Sequence, residues 1–119
     1  MATQVAGYIL RAKDRHTTAR FYQELGLNTK EHRHGGPKHY EMGTLTDACV
    51  MEVYQWSELF PHDALMLSVD SISNALGIAA TYGIQPRTEL REMPEMKFIY
   101  INDPDGRAIM LIEPNQCIT

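Results

Sequence analysis

The side chains with most chemistry to offer are histidines and a few carboxylates, and they are unevenly spread. The chain has five His. His32, His34 and His39 flank a Gly35-Gly36-Pro37 turn, and the His32-Arg33-His34 spacing puts two imidazoles on one face of a strand. Paired imidazoles can hold a divalent ion, although a histidine beside a turn is more commonly a plain surface residue. His16 lies at the start of a helical pattern, and His62 shares strand parity with Ala64. Glu52 and Tyr100 sit in apolar strand patterns and are candidate catalytic acids or bases. Cys49 and Cys117 are far apart and form no zinc spacing. No Ser-His-Asp or Cys-His order, phosphate loop or dinucleotide motif is present.

These residues are carried by a regular order of elements. Asp14 is a good N-cap for a helix that ends at Gly26, with Phe21 and Leu25 on one face. A second helix begins near Ser71 and ends at Gly83, and Ile72, Ala75, Leu76, Ala79 and Ala80 form its apolar stripe. Strand-like runs cover 5–12, 28–32, 39–43, 49–54, 64–69, 85–90, 97–102 and 107–113, and 56–62 reads as a linker. Turn chemistry separates them at Gly35-Gly36-Pro37, Thr46-Asp47 and Asp103-Pro104-Asp105-Gly106. The order is β-α-β-β-β twice. Asp14 to Ser71, Gly26 to Gly83 and Leu27 to Ile84 are all 57 residues apart, which marks an internal duplication. The expected fold is α+β: two tandem βαβββ modules forming a curved mixed sheet, with half-barrel clefts and helices outside. Residues 1–119 are expected to form a single domain, with module one about 4–56 and module two about 62–114.

Two stretches give the pattern a name. Residues 9–14, Ile-Leu-Arg-Ala-Lys-Asp, followed by 21–27, Phe-Tyr-Gln-Glu-Leu-Gly-Leu, resemble the first half of a glyoxalase-type module. Residues 102–106, Asn-Asp-Pro-Asp-Gly, followed by 110–114, Met-Leu-Ile-Glu-Pro, resemble the last hairpin of the second. The chain is thus similar, over about residues 5–114, to the glyoxalase / bleomycin resistance protein / dioxygenase superfamily, the vicinal oxygen chelate fold. That resemblance implies one divalent metal held by two His, or a His and a Gln, with one or two Glu. The matching positions here are Gly7, Glu52, Ala64 and Met110. Gly and Ala offer no donor, and a thioether is a poor ligand for hard cations. No metal cofactor is therefore expected, and Glu52 with His62 would serve only in a divergent metal-dependent relative.

Strand alternation then gives the lining of the cleft. The expected ligand-binding residues are Ile9, Arg11, Glu52, Tyr54, Met66, Ser68, Phe98, Tyr100 and Met110. This predicts an apolar, Met- and aromatic-rich pocket with few polar groups, suited to a small molecule unless it is simply filled core. Arg11 needs an anion or a carboxylate such as Glu52, and in relatives the matching Arg holds an anionic part of the substrate. The expectation is a metal-free small-molecule binding protein, for an apolar or aromatic ligand with antibiotics among the candidates, resembling the bleomycin-resistance branch. The alternative is a metal-dependent glyoxalase, lyase or dioxygenase acting on vicinal oxygens. Whether the chain is an enzyme is left open by these residues.

Bulk properties narrow the partners. The chain has 119 residues, 15 acidic against 11 basic, for a net charge of −4. No basic face for nucleic acid is expected, nor a membrane partner, since no apolar run approaches the roughly 20 residues of a span. The first ten residues lack a secretory pattern, and two unpaired thiols suggest the cytoplasm. The resemblance and the frequency of twofold pairs lead to the expectation of a homodimer.

Overall fold

The computed structural model describes residues 2–33, 37–43 and 49–115. They contain eight strands and two helices in the order β1 (Thr3–Ala12), α1 (Arg15–Glu24), β2 (Asn28–His32), β3 (His39–Gly43), β4 (Val50–Gln55), β5 (Ala64–Val69), α2 (Ile72–Thr81), β6 (Arg91–Glu92), β7 (Met96–Asn102) and β8 (Ala108–Pro114). They fall into two compact units, 6–63 and 1–5 with 64–119. Among the described residues no helix is long and apolar enough to cross a membrane.

The helices form where local signals place them. The Asp14 carboxylate accepts from the His16 and Thr17 backbone N–H groups and from the Thr17 hydroxyl, satisfying donors the first turn leaves open. Those bonds hold the Asp14 carboxyl below its ordinary range, the Thr17 hydroxyl contributing most. Ser71 caps α2 through the Asn74 N–H. The two exits are the same motif, 57 residues apart. Gly26 N–H reaches Gln23 O while Leu27 N–H reaches Tyr22 O; Gly83 N–H reaches Ala80 O while Ile84 N–H reaches Ala79 O. Gly26 and Gly83 take φ of 110° and 73°, as this helix ending requires.

In the 6–63 unit the strand order is β2-β3-β4-β1. β4 runs parallel to β1 and antiparallel to β3, which is antiparallel to β2. Val53, Met42 and Ala12 point to one face and pack with Ala19 of α1, supported by Leu10, Tyr22, Leu27, Tyr40 and Met51. In the other unit the order is β5-β8-β7-β6, with β5 and β8 parallel. There Val69, Ile99, Ile101 and Leu111 pack with Ile72, Ala75 and Ala79 of α2. The duplicated pattern read from the sequence is thus present in pairing as well as in capping.

One expected strand is absent. Residues 85–90 form no regular strand; only Arg91 and Glu92 pair with β7. Arg87 N–H donates to Tyr100 O, but the Tyr100 N–H donates to the Thr88 hydroxyl rather than to a backbone carbonyl. Pro86 has no N–H to give to a ladder. A side-chain oxygen therefore closes the β7 edge where a backbone strand was expected.

Candidate functional site

The chemistry gathers on the face of the 6–63 sheet opposite α1. Register places Ile9 beside Glu52, Arg11 beside Tyr54, and Glu41 beside Glu52. It also sets His32 opposite His39. Since alternate residues share a face, His32, His39, Glu41, Glu52, Tyr54 and Arg11 project together.

Three of these side chains and Phe60 form a stack across the sheet. The Arg11 guanidinium carbon lies 4.6 Å from the Tyr54 ring centre and 5.0 Å from that of Phe60. The His39 imidazole stacks on Tyr54, with ring centres 4.3 Å apart and planes inclined by 16°. Tyr54 on β4 thus sits between a guanidinium from β1 and an imidazole from β3, the arrangement that cation–π attraction favours. The 56–63 segment supports the stack: Asp63 accepts from Arg11 N–H at 2.8 Å, and Phe60 N–H donates to the Ser57 hydroxyl at 3.1 Å.

His39 is the hub. It is only 1% exposed. Its Nε2 lies 3.4 Å from a Glu52 carboxylate oxygen and 3.9 Å from Glu41 Oε2. Its Nδ1 lies 3.3 Å from the Pro37 carbonyl, which can only accept, so Nδ1 carries a proton. Burial alone pushes the imidazole toward its neutral form, but the Glu52 hydrogen bond and charge, the Pro37 carbonyl and the Glu41 charge together outweigh it. The net shift is upward from the ordinary value. His32 Nδ1 lies 3.5 Å from Glu41 Oε2.

The nine expected ligand-binding residues divide between the units. Ile9, Arg11, Glu52 and Tyr54 lie on the face just described. Met66, Ser68, Phe98, Tyr100 and Met110 share one face of the strands of the other unit, where Met66 pairs with Met110 and Met110 with Tyr100. Ile9, Met66, Tyr100 and Met110 are buried, and the Phe98 and Tyr100 rings meet edge to face at 6.3 Å. Glu52 is engaged by His39. His62 is exposed and stands outside the histidine group. His16 bonds the Tyr40 hydroxyl at 2.6 Å, on the α1 side of the sheet. His34, Thr46, Asp47 and Cys117 lie outside the described residues.

The two faces differ in polarity. The Met66–Met110–Tyr100 surface is apolar and buried, whereas the 6–63 face adds His32, His39 and Glu41. Sequence reasoning tied Glu52 to Arg11 and set His39 aside as a turn residue. The missed signal was parity on β3: His39 and Glu41 are two apart and therefore share a face.

The fold is the vicinal oxygen chelate fold, as in glyoxalase / bleomycin resistance protein / dioxygenase structures. The chain is similar to a hypothetical protein from Bacillus halodurans C-125, with TM-score 0.75 and 14% identity, covering 100% of this chain and 99% of that one. It is similar to methylmalonyl-CoA epimerase from Mycobacterium tuberculosis, with TM-score 0.66, 16% identity and coverage of 96% and 88%. A glyoxalase / bleomycin resistance / dioxygenase superfamily member from Vibrio splendidus 12B01 matches with TM-score 0.66, 16% identity and coverage of 96% and 100%. No protein-family model and no curated protein matches the sequence.

The metal that this fold commonly carries does not fit the corresponding positions. Gly7, Ala64 and Met110 bring no hard donor; Ala64 pairs with Ala108 and Met110 with Met66, and both are buried. Glu52 alone remains, and a lone carboxylate does not build a coordination sphere.

Proposed function

We propose that this protein binds a small aromatic or apolar molecule without an ion chelated at the superfamily's positions. The observation that carries the reading is the donor set: Gly, Ala and Met stand at three of four chelating positions, and the fourth, Glu52, is engaged by His39. The Phe60–Arg11–Tyr54–His39 stack supports a planar ligand, since flat π-surfaces with one cationic head recognise aromatic rings that bear an acceptor or anionic edge. Binding alone, as in resistance by sequestration, needs no nucleophile. The protein is proposed to act in the cytoplasm as a homodimer. Size-exclusion chromatography with light scattering at micromolar concentration tests the pairing, and a monomer refutes it.

The test of ligand binding is a thermal-shift screen of aromatic compounds and antibiotics in EDTA, with hits measured by calorimetry. The expected result is binding that survives EDTA and weakens at least about tenfold in Tyr54→Ala, in line with an aromatic anchor. Binding that appears only with added divalent metal overturns the reading in favour of a metal-dependent glyoxalase, lyase or dioxygenase. One observation favours that second reading, the gathering of His32, His39 and Glu41 on a single face.

A further inference from the structure

Three of the superfamily's four chelating positions are without hard donors, yet another set of donors converges within the 6–63 unit. We infer that His32, His39 and Glu41 form a divalent transition-metal site at the β2–β3 edge, displaced from the positions this fold uses elsewhere.

The spacing carries the inference. One ligand atom from each of the three residues lies within 4.8 Å of both others. Glu41 Oε2 stands 3.5 Å from His32 Nδ1 and 3.9 Å from His39 Nε2. A tetrahedral ion with metal–ligand distances of about 2.0–2.2 Å sets its ligands roughly 3.4 Å apart. The group thus needs to contract by only a few tenths of an ångström along its Glu41 edges. The backbone is already committed to this geometry, because His32 and His39 are register partners on adjacent antiparallel strands and Glu41 is two residues from His39 on the same face.

The outer contacts fit as well. A histidine ligand ordinarily donates its second ring N–H to a carbonyl or carboxylate, which fixes the tautomer. The Pro37 carbonyl at His39 Nδ1 does this and leaves Nε2, directed at the carboxylates, as the atom whose proton an ion would replace. Glu41 and Glu52 are direct cross-strand neighbours on one face, a pairing of like charges that costs free energy without a cation between or beside them. Glu52 Oε2, 3.4 Å from His39 Nε2, is placed to orient that imidazole or to join the ion. The His32 side chain is 41% exposed while its Nδ1 is buried, so the ring borders solvent and turns its ligand atom inward. Two imidazoles with one or two carboxylates select borderline ions such as Zn²⁺, Co²⁺ or Ni²⁺ over Mg²⁺ and Ca²⁺. The site stands independently of the ligand-binding reading, because it is tested with metal alone.

The experiment is titration of tag-free, EDTA-stripped and desalted protein with Zn²⁺ by calorimetry, and with Co²⁺ by visible absorption. The expected result is one equivalent of each, with Co²⁺ bands of a low-coordinate nitrogen/oxygen site. His32→Ala and Glu41→Gln, both at partly exposed positions, should each weaken Zn²⁺ by at least about tenfold, while circular dichroism shows the fold retained. His62→Ala should leave affinity unchanged. Failure of the wild type to bind, equal affinity in His32→Ala and Glu41→Gln, or loss in His62→Ala overturns the assignment.

Discussion

Replacing Glu52 by Gln should change the sign of its effect on stability with pH. Gln keeps the size of the side chain and removes only its charge, 3.4 Å from the buried His39 Nε2. At that distance two unit charges attract by about 5 kcal/mol at an effective dielectric of about 20, before desolvation is counted. A hydrogen bond to a charged group nets about 1.5–3 kcal/mol. The folded state holds the His39 pKa above its ordinary value of 6.5. The stabilisation from its proton is therefore complete below that value and is lost as pH rises through the higher folded-state value. At pH 5.5 Glu52→Gln should cost about 1.5–3 kcal/mol, the lower end if Glu41, 3.9 Å away, takes over part of the charge. Raising the pH to 9 moves His39 toward its neutral form, with its remaining proton on Nδ1 toward Pro37, so that Nε2 presents a lone pair to the carboxylate. The Gln amide can donate there, and the repulsion between Glu41 and Glu52 is relieved. The substitution should then be neutral or stabilise by up to about 1 kcal/mol. Urea unfolding in EDTA at both pH values measures this; the loss at pH 5.5 corresponds to a midpoint drop of about 1 M. An equal loss at both pH values, or a larger one at pH 9, would show that His39 carries no proton shared with Glu52.

Three further substitutions test the fold that holds the site. Thr88→Val should cost about 1–3 kcal/mol in urea unfolding, because it leaves the Tyr100 N–H without its acceptor; an unchanged midpoint would show the β7 edge closed in another way. Ser71→Ala should cost about 0.5–2 kcal/mol through loss of the α2 cap, and the deficit should be restored by Ser71→Asp. Met42→Ala, at a site 2% exposed beneath α1, should cost about 2–5 kcal/mol; a smaller loss means that the cavity collapses.

Local chemistry made much of this protein legible from its sequence. Asp14, Ser71, Gly26 and Gly83 act on backbone groups two or three residues away, so both helices and their shared endings could be read directly. β2, β3 and β5 have the expected bounds for the same reason, since alternation and flanking turns are local. The glycine, alanine and methionine at positions 7, 64 and 110 are likewise facts of sequence. The segment at 85–90 escaped: it was expected as a strand, while Pro86 and the Thr88 hydroxyl decided how it met β7. The histidine cluster escaped for a different reason. Parity says that His39 and Glu41 share a face, but not which residues of β2 and β4 stand opposite them. That register is set by pairing between strands, through burial of Met42 and Val53 against α1, which turns the polar alternates to the other face. A slip of one residue would turn those alternates toward α1, so only the tertiary pairing brings His32, His39, Glu41 and Glu52 together.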